Sequence, residues 1–403
     1  WLCVSVRKLL CSALRIPHCH GLDCGLAGSS LQNKWLLRFS IFDFFSLSPF
    51  DFRHNSFKLN PFRDMAQKAA LLINLGSPAS TSIPDVRAYL REFLMDERVI
   101  DKGPLARWII VNCFILPTRP KNSAAAYEKI WTKEGSPLIT ISEQARKLVD
   151  ANLDFPVYLG MRYGQPSIPA VVDKMISDGV EELFVVPLYP HYAASSYETA
   201  VVRLEEVINE RQSKLKTTVM PPFYGDEDYI DALVETAKND LSRDYDHLLI
   251  SFHGIPIRHL RKADSSGNHC QVGGNCCETP HPCHATCYRH QSLETAWRFV
   301  EKAGVPNDKW SFSFQSRIGR DPWMEPYTSQ EIPRLAREGK KKLLLICPAF
   351  VADCLETLEE ISMEGKEIFL EAGGEEFNQI PCLNDHPKWI DLLADRCRRW
   401  AQS

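Results

Sequence analysis

Five cysteines crowd one stretch of the chain, NHCQVGGNCCETPHPCHATC from Asn268 to Cys287. Their spacing is Cys270-x5-Cys276-Cys277-x5-Cys283-x3-Cys287, with His269, His281 and His284 interspersed. Large apolar side chains are too few here for the stretch to fold on its own core, so something else must tie it together. Four thiolates can hold a tetrahedral Zn2+ or a [2Fe–2S] cluster. The spacing does not choose between them, because the C-x2-C pairs of zinc ribbons are missing, and free or redox-active thiols are a third reading. Fourteen cysteines in 403 residues are not the disulfide scaffold of a small secreted domain. A local cluster of this kind points to metal binding in a reducing compartment, with the cytoplasm as the default.

Acid–base chemistry has two candidates. His253 closes the apolar run HLLISFHG, and Gly254 and Pro256 then turn the chain and clear space beside the ring. An imidazole exchanges protons near neutrality and ligates metals. Asp353, Glu356 and Glu360 follow the run KLLLICPAF at i, i+3 and i+7. On an α-helix these carboxylates share one face, either a solvated acidic surface or a row of oxygens along which a divalent cation is handed. Arg162 stands at a strand end within GMRYGQP, and SFQSRIGRDPWMEPYT places Trp323 on a loop, where it either presents the indole or caps the loop as a core tryptophan. Gly103 to Pro120 is strongly apolar for about a dozen residues, too short to span a bilayer. It is read as a core helix, an apolar lip over a greasy ligand, or a membrane-surface contact.

The elements that must position these groups alternate. AALLINLG, FPVYLGMRYG, ELFVVPLYP, KTTVMPPF, HLLISFHG, WSFSFQS and KLLLICPAF read as strands, with helical periodicity between most of them, as in SIPDVRAYLREFLMD. Continuous apolar strands alternating with helices predict an α/β fold with parallel sheets covered on both faces. There are strands enough for two sheets, with a boundary near 224–229. Ligands then bind beyond the carboxyl ends of the strands, where His253 and the acidic row stand. Residues 1–64 carry four cysteines, eight Lys/Arg, four Asp/Glu and no methionine before Met65, and are expected to be a non-native or unstructured leader. A net charge of −4 and the lack of a basic aromatic stripe argue against nucleic acid.

Six ordered motifs, LLINLGSP, GMRYGQP, PLYPHYAASS, SFHGIP, SFQSRIGRDPWMEPYT and DCLETLEEI, resemble those of ferrochelatases, which insert ferrous iron into a porphyrin to form haem. The resemblance runs from about Ala66 to Ser403. It implies two Rossmann-like domains, 65–225 and 226–385, with the porphyrin cleft between them. It also implies a cysteine-rich insert over 268–292 and a C-terminal helix over 386–403 that packs back on the first domain. It assigns His253 and Glu356 as the catalytic, metal-contacting pair, with Asp353 and Glu360 as accompanying acids. Cys354 departs from the histidine that some relatives carry there. Leu75 and Trp323 by motif, and Tyr192 and Phe350 by position, are expected to wall the porphyrin, with Arg162 pairing a propionate or lining the cleft.

The substrates implied are Fe2+ and protoporphyrin IX or coproporphyrin III. Another tetrapyrrole chelatase, for cobalt or nickel, and a noncatalytic haem or porphyrin carrier are the competing functions. Some bacterial members carry an internal cysteine-rich segment that resembles this one at Cys270, Cys276, Cys277 and Cys287. That likeness implies a [2Fe–2S] cluster with Cys283 as an alternate ligand and Zn2+ as the alternative metal. Such relatives can have a further cysteine where this chain has Ser292. The enzyme is expected in the cytoplasm, with peripheral membrane contact through 103–120.

Overall fold

Strand β1 (Lys68–Ser77) buries Ala69, Ala70, Leu71, Leu72 and Ile73 completely. A strand covered on both faces needs an apolar side chain at every position, not at alternate ones, and that is the condition inside a parallel sheet flanked by helices. Each fully buried Leu or Ile contributes about 1.5–3 kcal/mol relative to exposure. The computed structural model describes residues 67–403 apart from Gly273, Ile318 and Arg320, so the leader expected over 1–64 lies outside the described residues.

Two four-stranded parallel sheets result. The first holds β1, β2 (Val157–Gly164), β3 (Glu182–Pro187) and β4 (Lys216–Val219) in the order β2-β1-β3-β4. The second holds β5 (His247–His253), β6 (Trp310–Gln315), β7 (Lys342–Ile346) and β8 (Glu376–Gln379) in the equivalent order β6-β5-β7-β8. The fold is α/β, one architecture used twice. KTTVMPPF is strand only as far as Val219, because Pro221 and Pro222 have no N–H to give a ladder. β8 escaped the sequence reading: EFNQ is four residues long and mostly polar.

One hydrophobic core joins the two halves, running from Leu72 and Val186 in the first sheet through Tyr229 and Leu233 of the helix Glu227–Leu241 to Leu248 and Ile250 in the second. The last helix, Pro387–Ala401, is N-capped by His386 and buries Trp389 in the same core. Trp400 stacks on Phe184 of β3 at 5.4 Å, and Lys68 Nζ donates to the carbonyl of Ala401 at 2.6 Å. Gly76 lets β1 and β2 close at their carboxyl ends. Its φ of +103° suits glycine, and a Cβ there would lie 1.8 Å from the Tyr163 carbonyl oxygen.

The apolar stretch 103–120 forms a short helix, Pro104–Ile109, continuing into a π-turn over Ile110–Ile115. It is not a core helix. Val111 is buried, but Leu105 and Phe114 are 74% and 71% exposed and Trp108 is half exposed.

Candidate active site

β5 delivers His253 at its last residue, paired with Gln315 at the end of β6. His253 Nδ1 donates to the Gly254 carbonyl at 2.6 Å, since only the nitrogen can supply the proton. Nε2 is therefore left with its lone pair. Burial pushes the imidazolium pKa below its ordinary value, against an opposing pull from the Glu356 carboxylate. The ring is thus a neutral base with one nitrogen committed. Trp323 and Phe350 flank it, with ring centroids 6.4 and 6.3 Å away. A Cβ at Gly254 would come 3.0 Å from the Gln315 carbonyl oxygen, a tight approach between the strand ends, and 3.4 Å from Trp323, an ordinary contact.

The acidic row does not sit on an α-helix. Residues Glu356–Gly365 form a π-type helix, whose wider i→i+5 turn alters which side chains share a face. Asp353 precedes it and is fully engaged: Thr357 Oγ1 donates to Oδ1 at 2.9 Å and Asn384 Nδ2 donates to Oδ2 at 2.7 Å. It anchors the helix start. Gln315 Nε2 donates to the Glu356 carbonyl at 3.1 Å while Gln315 Oε1 accepts from Ser251 at 2.7 Å, so the strand carrying His253 and the helix carrying Glu356 are tied through one buried amide.

Glu360 accepts from Ser316 N–H at 2.8 Å and Ser316 Oγ at 2.5 Å. Burial nonetheless raises its pKa to about 7. Ser316 holds a φ of +63°, a left-handed conformation unusual for a residue with a Cβ, which aims both donors at that carboxylate.

The first half closes the other side. Leu355 and Leu358 pack into a cluster with Val86 of the helix Ile83–Leu94 and with Ala124, Tyr127 and Ile130 of the helix Arg119–Ile130. Lys129 donates to the buried Glu359 at 2.7 Å, and the Arg119 guanidinium feels both Glu359 and Glu360. Burial, reinforced by nearby Glu356, pushes the phenols of Tyr127 and Tyr89 up, which keeps both neutral hydrogen-bonding groups beside that carboxylate. These partners were not legible as site residues.

The remaining expected residues divide. Leu75 is half-buried beside Asn74, whose Oδ1 accepts from the Leu75 N–H at 2.8 Å. Trp323 is only 8% exposed, so its loop seats the indole inward, the core alternative of its two readings. Arg162 turns to Asp96 and donates to Thr199 Oγ1 at 2.8 Å, so its guanidinium already has an anion. Tyr192 hydrogen-bonds Glu198 through its hydroxyl, and its N–H donates to Gln291 Oε1 at 2.6 Å.

Away from His253, a second group of side chains gathers. Cys270, Cys276, Cys277, Cys283 and Cys287 line one small cavity with His269, His284, Leu260 and Asp264. All five thiols are free. Asp264 organises the entry, accepting the N–H groups of His269 and Cys270 at 2.9 Å each. Arg289 donates to Cys277 Sγ at 3.2 Å, although the neighbouring Cys287 thiol and burial together push the Cys277 thiol up.

The ferrochelatase family profile matches residues 67–400. A ferrochelatase of Opitutus terrae is 54% identical over 342 residues, which is 84% of this chain and 99% of that protein. One from Pseudomonas fluorescens is 50% identical over 337 residues, 83% of this chain and 98% of its own. Among solved structures, SirB from Bacillus subtilis with Fe3+ aligns at a TM-score of 0.47 and 14% identity, covering 83% of this chain and 95% of that one. With a family match that spans both sheets, and with relatives at half identity along nearly their whole length, the chain belongs to the ferrochelatase family.

Proposed function

We propose that this protein inserts Fe2+ into a porphyrin to make haem, with protoporphyrin IX or coproporphyrin III as the acceptor. The observation that carries this reading is His253, a neutral base with Nε2 uncommitted, electrostatically linked to the Glu356 carboxylate.

A flat free-base porphyrin offers an entering ion little access, because two pyrrole N–H groups occupy its centre. Bending the ring exposes nitrogen lone pairs. Rigid apolar walls supply that distortion by binding the bent form better, at a cost of about 1–5 kcal/mol drawn from contact with the ring faces. Trp323, Phe350, Leu75 and Tyr192 are the walls in this account. Iron enters as Fe2+ and stays Fe2+ while two protons leave the macrocycle. His253 Nε2 accepts pyrrole protons, Glu356 contacts the metal, and Glu360 passes protons outward. Asp353 serves by holding the helix start against Asn384, and Arg162 by holding Asp96 in place or, on exchanging that partner, by pairing a propionate.

Cys270, Cys276, Cys277 and Cys287 are assigned to a [2Fe–2S] cluster, with Cys283 as the alternate ligand and Zn2+ as the alternative metal. The residues fit: reduced thiols converge on one cavity, and a guanidinium faces one of them. When bound, a cluster supplies a one-electron couple and cross-links the segment. Inserting an already ferrous ion needs no electron, so its role here is structural or sensory.

The exposed Leu105, Trp108 and Phe114 support peripheral contact with a membrane surface from a cytoplasmic position. No helix among the described residues is long and apolar enough to cross a membrane.

The experiment is an anaerobic assay of the purified chain with Fe2+ and each porphyrin in turn, preceded by a visible spectrum for cluster absorption. Haem formation supports the reading; intact porphyrin with both acceptors refutes it.

A further inference from the structure

The cysteine-rich segment contains more ligands than a four-thiolate group consumes. Cys283 is a buried fifth thiol, and His269 and His281 stand beside it. One ligand atom from each of His269, His281 and Cys283 lies within 4.8 Å of the other two. In tetrahedral zinc sites, with Zn–S about 2.3 Å and Zn–N about 2.0 Å, such atoms stand roughly 3.3–3.6 Å apart. Closing the difference requires the three side chains to draw together.

Local hydrogen bonds fix what each ring can offer. His269 Nε2 and His284 Nε2 both donate to the Cys276 carbonyl, at 2.9 and 3.0 Å. His269 is thereby the Nε2–H tautomer, and its Nδ1 lone pair is open to a metal. A backbone carbonyl behind a ligating imidazole is the usual arrangement that fixes tautomer and raises basicity. His281 Nδ1 accepts the Cys283 N–H at 3.2 Å, capping the short turn Pro282–Ala285. Ligation costs that bond whichever nitrogen is used, since Nδ1 would turn its lone pair to the ion and Nε2 ligates only as the Nδ1–H tautomer. The rings of His269 and His281 lie parallel at 3.9 Å. A ring lone pair lies in the ring plane, so one ring tilts out of the stack on binding.

We propose that His269, His281 and Cys283 form a mononuclear site for a borderline divalent cation of the Zn2+ class, with water as the fourth ligand and separate from the other four thiols. The ligand set of one thiolate and two imidazoles suits zinc and disfavours Mg2+ or Ca2+. Its physical role is to close the loop between His269 and Cys283. The apolar cluster of this segment holds only Cys276, Cys277 and Leu293, with Phe312 packed against it, which is little to hold such a loop. The proposal does not depend on iron insertion, but it requires that whatever Cys270, Cys276, Cys277 and Cys287 hold in the shared cavity leaves Cys283 free.

The test uses the full chain, freed of loosely bound metal by chelator dialysis without oxygen and then titrated with Co2+ alone. The expected result is one tightly held Co2+ per chain showing a thiolate charge-transfer band. That band is lost in both His281→Gln and Cys283→Ser and kept in Cys270→Ser. X-ray absorption of the Zn2+-loaded chain should give one sulfur and two imidazole nitrogens at the metal. A coordination shell of four sulfurs, or Co2+ binding lost in Cys270→Ser but kept in His281→Gln, overturns the proposal. So does loss of any cluster absorption in Cys283→Ser with His281→Gln unaffected, because Cys283 would then belong to the other group. Should Cys283→Ser fail to fold, His281→Gln with its circular dichroism intact decides the matter alone.

Discussion

Both hydrogen-bond donors of Ser316, its N–H and its hydroxyl, end on the carboxylate of Glu360, at 2.8 and 2.5 Å. Two good donors normally hold a carboxylate ionised, yet burial wins and the pKa rises from 4.5 to about 7. The folded chain therefore binds this proton more tightly than the unfolded chain between those values. Stability contributed by the group is present below 4.5 and is lost as pH rises to 7, by an amount on the order of 3 kcal/mol. Glu360→Gln keeps an oxygen for Ser316 and removes the titration. Chemical denaturation should show the variant gaining on the parent at pH 8 but not at pH 4.5; an equal difference at both pH values contradicts this.

The same group sets an acid limb on turnover. If Glu360 carries protons outward it must be ionised, so insertion should rise as pH passes about 7. His253 must be neutral, and its lowered pKa puts its own limb below 6.5. Rate profiles of the parent and of Glu360→Gln should therefore differ. The variant is slower, and the limb it retains lies below 6.5. A limb near 7 that persists in Glu360→Gln removes the proton-relay role.

Lys129 and Glu359 are 230 residues apart and join the two halves beside the site. Lys129→Met leaves a buried carboxylate short of a partner. A fully buried pair broken this way costs about 3–5 kcal/mol. Lys129 is half exposed and Arg119 is near, so about 1–2 kcal/mol is expected, discounted for solvent. Lys129→Met with Glu359→Leu should recover most of the loss in a double-mutant cycle read by urea denaturation. An additive pair of losses contradicts the coupling.

The legible parts of this protein were those with local causes. Apolar runs announced the central strands of both sheets, though not the short polar edge strand β8, and Gly254 after His253 announced a strand end with room beside a ring. What escaped was non-local. Asp353 is held by Asn384, 31 residues on, and Arg162 by Asp96, 66 residues back, so neither carboxylate nor guanidinium revealed its partner by spacing. The acidic row was read on α-helical spacing, and a π-type helix is not marked by any residue pattern of its own. The Gly- and Pro-rich loop of Trp323 leaves open in sequence whether the indole is presented or capped in the core. The indole packs beside Gly254, which follows a different strand end and is distant in sequence.

The apolar lip makes a surface prediction. Replacing Leu105, Trp108 and Phe114 together by Ser removes exposed apolar area without touching a buried residue. Co-sedimentation with anionic lipid vesicles should fall while the melting temperature stays within a few degrees. Unchanged vesicle binding contradicts the proposed membrane contact.

The central claim is that His253 is the base that takes protons from the porphyrin. Its most direct test is single-turnover insertion by His253→Ala under anaerobic conditions, with porphyrin affinity measured separately by fluorescence quenching. The account predicts a rate lower by at least roughly 100-fold with porphyrin affinity nearly unchanged. Insertion at the parent rate by a variant that binds porphyrin normally would contradict it.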